Sequence, residues 1–470
     1  MARIIDIKLP KTIATALRLP QNTPRNQQLR VLKKLLKKAR FTAFGQQYGF
    51  DKILMSPDMG KTFQQAVPVH DYNKIYTEWW QKTLEGVPDV TWPGKIKFYA
   101  LSSGTSEAAS KYIPVTKDML RSNRVNYIRQ FLSLLTYEHL PRNAVTKGFL
   151  MLGGATDLQK GKAGWYAGDL SGILAKNRPF WFQTFYKPGG RIAKIKDWNV
   201  KLHEIVEHAK AWDIGYIVGV PAWCQMCMEM VVEHYKVKTI HDIWPNLGFF
   251  VHGGVSFEPY KKGFEKLLGK PIVYIENYLS SEGFIGYKAR QDAKGMHLVL
   301  DNNIFLEFVP FDDQNFNNEG KMIANPKALM VHEVEENKEY ALLMSTNAGA
   351  WRYLIGDTVR FVNKERCEIV ITGRTKHFLS LVGEHLSIEN MNKAIALVSD
   401  EFNICIPEFT VVGFPYQNLF AHKWYIACND PVDKDALIQK IDQHLCELND
   451  DYATERTSAL KEIFVDVLPE

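Results

Sequence analysis

Four short clusters of hydroxyl, glycine, acidic and basic residues, each beside an apolar run, hold the residue types that handle a nucleotide polyphosphate. The first is Leu101-Ser102-Ser103-Gly104-Thr105-Ser106-Glu107-Ala108-Ala109-Ser110-Lys111, directly after Phe98-Tyr99-Ala100. Hydroxyls and backbone N–H groups around a glycine can converge on phosphate oxygens while a lysine supplies charge; the same composition also makes a plain turn. It is not a Walker loop, because the spacing GxxxxGK[ST] occurs nowhere in the chain. The second, Tyr278-Leu279-Ser280-Ser281-Glu282-Gly283, follows the apolar Ile272-Val273-Tyr274-Ile275. A carboxylate such as Glu282 at a strand terminus suits a hard Mg²⁺ ion that keeps most of its waters and bridges to phosphates; a glutamate at a solvated turn looks the same in sequence.

The third cluster is Trp351-Arg352-Tyr353-Leu354-Ile355-Gly356-Asp357, just before Thr358-Val359-Arg360-Phe361-Val362. An aspartate fixed at a strand start can accept from both hydroxyls of a ribose, although Gly-Asp is also a common turn. The fourth is Thr372-Gly373-Arg374-Thr375-Lys376, with Gly383 beyond it, and by itself it reads as a polar link between two folded units.

These clusters need a scaffold, and the pattern from about residue 97 supplies one. Short β-rich runs alternate with stretches of helical period, which predicts an α/β fold with ligands at the carboxyl ends of its strands. The runs around residues 304–310, 340–347 and 357–363 predict antiparallel strands, with Asp312 to Gly320 as the turn between two of them. A boundary is expected near Lys376, giving a large unit over 1–375 and a small α+β unit over 376–470. Upstream, Thr23 and Pro24 open an amphipathic helix with Leu29, Leu32, Leu36 and Ala39 on one face and Lys33, Lys34, Lys37 and Lys38 on the other. Such a helix is expected to pack on its own domain and to leave the lysines in solvent.

With 470 residues, 46% hydrophobic and 23% charged, the chain fits two or three ordinary folded domains and excludes a disordered or fibrous protein. The net charge of +6 is too diffuse to indicate nucleic acid, and no apolar run approaches a membrane span. Six cysteines are too few for a disulfide framework, so a reducing cytoplasm is expected, with no membrane and no nucleic acid as partners; oligomeric state is not readable. Cys224 and Cys227 form a C-x-x-C in a segment of helical period and read as core. His208, His234, His241 and His252 show no nucleophile at triad-like spacing, and no G-x-S-x-G elbow exists. The aromatic-rich stretch from Trp165 to Tyr186 fits either an acyl pocket or ordinary core.

In their order and separations the four clusters resemble the adenylate-forming superfamily, and within it the acyl-acid amido synthetases known from plants as auxin-responsive, jasmonate- and auxin-conjugating enzymes. Residues 102–116 look like that family's SSGTSxGxxKxxPxT loop and Tyr278 to Gly283 like its YxSSEG motif; Ala39 to Ile53 and Val67 to Tyr76 are similar to its opening segment. The resemblance implies a ligase that adenylates a carboxylic acid with Mg·ATP and passes the acyl group to an amine, usually an amino acid. It implies Ser102, Ser103, Gly104, Thr105, Ser106 and Lys111 on the phosphates and Glu282 on the metal. Tyr278, Ser280 and Ser281 accompany Glu282, Asp357 and Arg374 meet the ribose, and Gly253 and Gly254 of His252-Gly253-Gly254-Val255-Ser256 line the adenine pocket. It also implies a C-terminal domain that rotates about Lys376 and carries Gly383 toward the site.

Three departures stand out. Ala108 replaces a loop glycine, Leu354-Ile355 replaces an Arg-Leu pair before Gly356-Asp357, and nothing after Lys461 matches the family's C-terminal catalytic lysine. Either more chain follows or adenylation proceeds without that lysine. Acyl-CoA ligation, or nucleotide binding without turnover, are the alternatives that share the same motifs.

Overall fold

Thr23 accepts a hydrogen bond from the Asn26 N–H and opens the helix Pro24–Ala39, with proline in its first turn. Val31, Leu32, Leu35, Leu36 and Ala39 are buried and the lysines face outward. Each buried leucine contributes about 1.5–3 kcal/mol of apolar transfer. The computed structural model describes residues 23–469 apart from 106–107, 139–140, 142, 179–182, 256, 318–319, 325 and 377.

The large element is a twelve-stranded mixed sheet. Its parallel half holds Tyr186–Lys187, Gly148–Met151, Ile214–Gly219, Phe249–His252 and Val273–Ser280, in that spatial order. Every residue of Phe249–His252 is buried, as a strand covered on both faces requires. The antiparallel half continues with Gly283–Tyr287, Met296–Leu298, Glu368–Arg374, Tyr353–Asn363, Glu339–Thr346, Ile304–Pro310 and Leu329–Met330. The switch from parallel to antiparallel falls at Ser281-Glu282, the turn joining Val273–Ser280 to Gly283–Tyr287.

A four-stranded sheet built on the hairpin Phe98–Thr105 and Ala108–Val115 lies beside it. After Arg374 the chain adds no described strand to the large sheet; it forms the helices Ile388–Phe402 and Lys434–Leu448 over the three-stranded sheet Phe409–Tyr416, Leu419–Ala427 and Leu460–Leu468. One apolar cluster runs from Leu150 and Ile217 through Tyr260 to Trp424 and Val465, so this C-terminal part packs against the parallel half.

Two expectations are corrected. The stretch from Asp312 to Gly320 is only part of a longer connection, because Leu329–Met330 intervenes before Glu339–Thr346. The first hydroxyl cluster is the end of a β-hairpin, with Ser102 opposite Lys111 and Thr105 opposite Ala108.

Candidate active site

The hairpin positions Lys111. Its partner across the strand is Ser102, and the Tyr112 N–H donates to the Tyr72 hydroxyl at 2.9 Å, tying the hairpin to the helix Tyr72–Ile75. The Lys111 ammonium sits 5.5 Å from the Tyr72 ring centroid, within cation–π range. Ser103, Gly104 and Thr105 end the strand Phe98–Thr105, and Ser106 lies outside the described residues, as does Ser256.

The carboxyl ends of the parallel strands bring the next elements together. His252 pairs with Glu276, which sets Gly253 beside Asn277. A Cβ at Gly253 would stand 2.5 Å from the Asn277 carbonyl oxygen, so only glycine fits, and Gly254 turns the chain with φ +88°. His252 is buried and held down to about 4 by that burial, with Lys288 adding, so it is neutral here. One residue past Asn277, Tyr278 donates its hydroxyl to Asp357 Oδ2 at 2.5 Å. Glu282 is buried at the turn, and its N–H donates to Ser280 Oγ at 3.3 Å.

Asp357 is not at a strand start, as its sequence context predicts. It lies inside Tyr353–Asn363, within an irregularity in the pairing with Glu339–Thr346 between Leu354 and Thr358, where Gly356 takes φ +93°. The bulge turns Asp357 toward its cross-strand partner Arg374, whose Nε stands 3.1 Å from Asp357 Oδ1; Arg374 also donates to the Ile355 carbonyl. The Thr375 N–H donates to the Gly356 carbonyl, so Gly373 to Lys376 stays against this bulge.

A cavity of about 1150 Å³ opens there, lined among others by Lys111, Tyr353, Gly356, Arg374 and Lys376. Charges of both signs act on one another around it. Burial, with Arg374 and Lys376, pulls the Lys111 ammonium down to about 8 against the opposing pull of Glu282 and Asp357. Burial and the Asp357 carboxylate push the Glu282 carboxyl above its ordinary range. Cations crowded on one another with two carboxylates in electrostatic reach are what a polyphosphate carrying a divalent cation would relieve.

Other residues of the four clusters and their surroundings are engaged in the frame. Arg352 borders the same cavity, but its guanidinium is taken up by the protein: it pairs with buried Glu307 at 3.0 Å and donates to the Gln64 and Val67 carbonyls at 2.7 and 2.8 Å. Gly383 is not among the cavity-lining residues; its N–H and those of Leu381 and Val382 donate to the buried Glu384 carboxylate, which His422 Nε2 meets at 2.9 Å. Cys224 and Cys227 are buried in the helix Pro221–His234 with thiols raised by burial, and among the described residues no group of three or more His, Cys, Asp or Glu could hold a metal ion. Sequence reasoning missed Tyr72 and Tyr353 as site residues. His70-Asp71-Tyr72 carried a signal in the opening segment, but the bridge between His70 and Tyr353 is long-range.

Residues 15–208 match the N-terminal domain of the GH3 family and residues 297–374 match its central domain. A jasmonoyl–L-amino acid synthetase of Nicotiana attenuata is 29% identical over 126 residues, covering 26% of this chain and 21% of the relative. A probable indole-3-acetic acid-amido synthetase of Oryza sativa subsp. japonica is 31% identical over 137 residues, covering 25% of this chain and 22% of the relative. The matched segments therefore span about a fifth of these relatives' own length. Among solved structures, the GH3.15 acyl acid amido synthetase superposes with a TM-score of 0.62 at 15% identity, over 97% of this chain and 88% of that one. A 2-hydroxyisobutyryl-CoA ligase bound to its acyl-adenylate and CoA superposes with a TM-score of 0.61 at 12% identity, over 96% and 87%. At such identities the two share the fold with this chain.

Proposed function

Since the chain belongs to the GH3 family, whose N-terminal and central domains together match more than half of it, we propose that it is an ATP-dependent acyl-acid amido synthetase. A carboxylate oxygen of the acid attacks the α-phosphorus of ATP, the bond to pyrophosphate breaks, and an acyl-adenylate forms. The nitrogen of an amine, an amino acid in the first instance, then attacks the acyl carbon; AMP leaves and the amine loses a proton. The observation that carries this reading is that Lys111 and Arg374 line one cavity while Asp357 pairs with Arg374 and both Asp357 and Glu282 lie within electrostatic reach of Lys111.

Such a displacement needs positioning and charge cancellation more than covalent help from the protein. Lys111 and the hydroxyls of Ser102, Ser103, Thr105 and Ser106 would hold the phosphates, with Gly104 allowing their close approach. Asp357 and Arg374 would hold the ribose, Tyr278 orients Asp357, and Gly253 and Gly254 would border the base, next to Ser280 and Ser281. Glu282 fits a Mg²⁺ ion because a buried carboxylate crowded by a second carboxylate gains from a nearby cation. When bound, that ion would neutralise phosphate charge.

The same reading divides the chain into an adenylate-forming unit over 1–375 and a mobile unit over 376–470 that pivots at Lys376. Its support is that no described strand after Arg374 joins the large sheet. A reducing, cytoplasmic setting fits the six free cysteines. Among the described residues no helix is long and apolar enough to cross a membrane.

The test is product analysis by mass spectrometry after incubation with Mg·ATP and a panel of aryl, indolyl and aliphatic acids, with amino acids or CoA offered as acceptors. The expected product is an amide together with AMP. Preferential thioester formation would reassign the second half-reaction to CoA ligation, and nucleotide binding without any product would reject catalysis.

A further inference from the structure

The face formed by the helices Pro24–Ala39 and Lys117–Leu134 takes no part in the site above. Between them lies a cavity of about 810 Å³ whose lining includes Arg30, Lys33, Lys34, Lys37, Lys38 and Arg121. One acid, Asp118, shares it, and that carboxylate already accepts from the Trp92 indole at 3.0 Å. Among the described residues no ion pair joins any of the six cations to an acid. The surplus of +6 over the whole chain is small, so its concentration on one face is a local property.

The second observation is apolar. Val125 borders the cavity and is exposed, and the same outward stripe of the helix continues with Ile128, Leu132 and Leu135. Arg121, Val125, Ile128, Leu132 and Leu135 fall within roughly a quarter of the helix circumference. Ile128 is 47% exposed and Leu135 46%, while Phe131 flanks them at 37%. The opposite face of this helix, with Met119, Leu120, Ser122 and Asn126, is buried, so the stripe is surplus to the core. A patch that joins a cation cluster to a row of exposed aliphatic side chains matches a surface presenting negative charge with hydrocarbon just beneath it. A second copy of the chain meeting this face through a two-fold axis would set cations against cations.

We propose that this face docks on an anionic lipid bilayer, with the lysines of Pro24–Ala39 among the headgroups and Ile128, Phe131 and Leu132 at the acyl boundary. The docking is peripheral, and the cavity at Arg374 lies outside the contact.

The experiment is co-sedimentation of the full chain with vesicles of phosphatidylcholine mixed with phosphatidylglycerol, against phosphatidylcholine alone, over a salt series. Binding to the anionic vesicles, weakening as salt rises, is expected. Replacing Lys33, Lys34, Lys37 and Lys38 together by alanine should lower partitioning on the order of several hundred-fold. These side chains are solvent-facing and alanine favours helix, so circular dichroism should be unchanged. Ile128→Ser with Leu132→Ser tests the apolar half separately and should also release the protein. The proposal is overturned if the full chain ignores anionic vesicles, if it binds only a soluble polyanion such as heparin, or if the lysine variant binds as well as the wild type.

Discussion

Asp357 and Arg374 face each other on neighbouring antiparallel strands, and the guanidinium Nε stands 3.1 Å from the carboxylate. The bulge at Gly356 makes this pairing local to the cavity, and the Tyr278 hydroxyl holds the other carboxylate oxygen. Asp357 is thereby oriented before any ligand arrives. Asp357→Asn keeps the shape and loses a charged acceptor, a change of about 1.5–3 kcal/mol. ATP affinity by titration calorimetry should fall about 10- to 100-fold; an unchanged affinity would remove Asp357 from the nucleotide site.

Lys111 gives the site a pH dependence. Its ammonium, drawn down to about 8 by burial and by Arg374 and Lys376, is charged below that pH and neutral above it. Nucleotide affinity should therefore weaken as pH rises through 8. Lys111→Arg, charged throughout, should flatten that slope, and Lys111→Met should bind weakly at every pH. If the methionine variant keeps the wild-type slope, another group is titrating. In the unfolded chain the lysine holds its proton to about 10.4, so between these two values unfolding takes up protons and this group's contribution to stability rises with pH.

Glu455 supplies a second titration, on the contact between the C-terminal part and the helix Pro221–His234. Burial lifts its carboxyl to about 8, opposed by Ser458 and Trp223, with Glu384 and Asp451 adding to the rise. The Trp223 indole donates to it at 3.2 Å. An unfolded glutamate loses its proton near 4.3, so from there to about 8 the folded chain holds more protons and stability falls as pH rises. Glu455→Gln removes that loss and should melt about 2–4 °C higher than wild type at pH 8, for each kcal/mol recovered. Identical melting curves of both proteins from pH 5 to about 8 would contradict it.

Arg352 belongs to the frame. Its pair with Glu307 is buried, and two carbonyls take its remaining donors. Arg352→Ala strands the Glu307 charge and should cost about 3–5 kcal/mol of stability in denaturant unfolding. The folded fraction should keep wild-type ATP affinity; a loss confined to affinity would place Arg352 in the site.

Local signals carried much of this. The Thr23 cap, the proline after it and the helical spacing of Leu32, Leu36 and Ala39 fix the first helix without reference to the rest of the chain. The run ending at His252 is apolar because both faces of its strand are covered, and that shows in composition. What sequence could not supply was pairing. Ser102 and Lys111 read as one loop until the hairpin sets them opposite each other. Asp357 reads as a turn residue because a bulge inside a strand looks locally like a strand start. Arg352 stands beside Tyr353 in the third cluster, yet its partner Glu307 comes from another strand of the sheet, a pairing no local pattern shows.

Pyrophosphate exchange into ATP that depends on a carboxylic acid and Mg²⁺, measured on wild type and Glu282→Gln side by side, addresses the first half-reaction alone. Exchange in the wild type, reduced about 100-fold or more in a folded Glu282→Gln protein, is the predicted result. Equal exchange in both proteins, or none in the wild type across aryl, indolyl and aliphatic acids, would contradict the assignment of this cavity to acid activation.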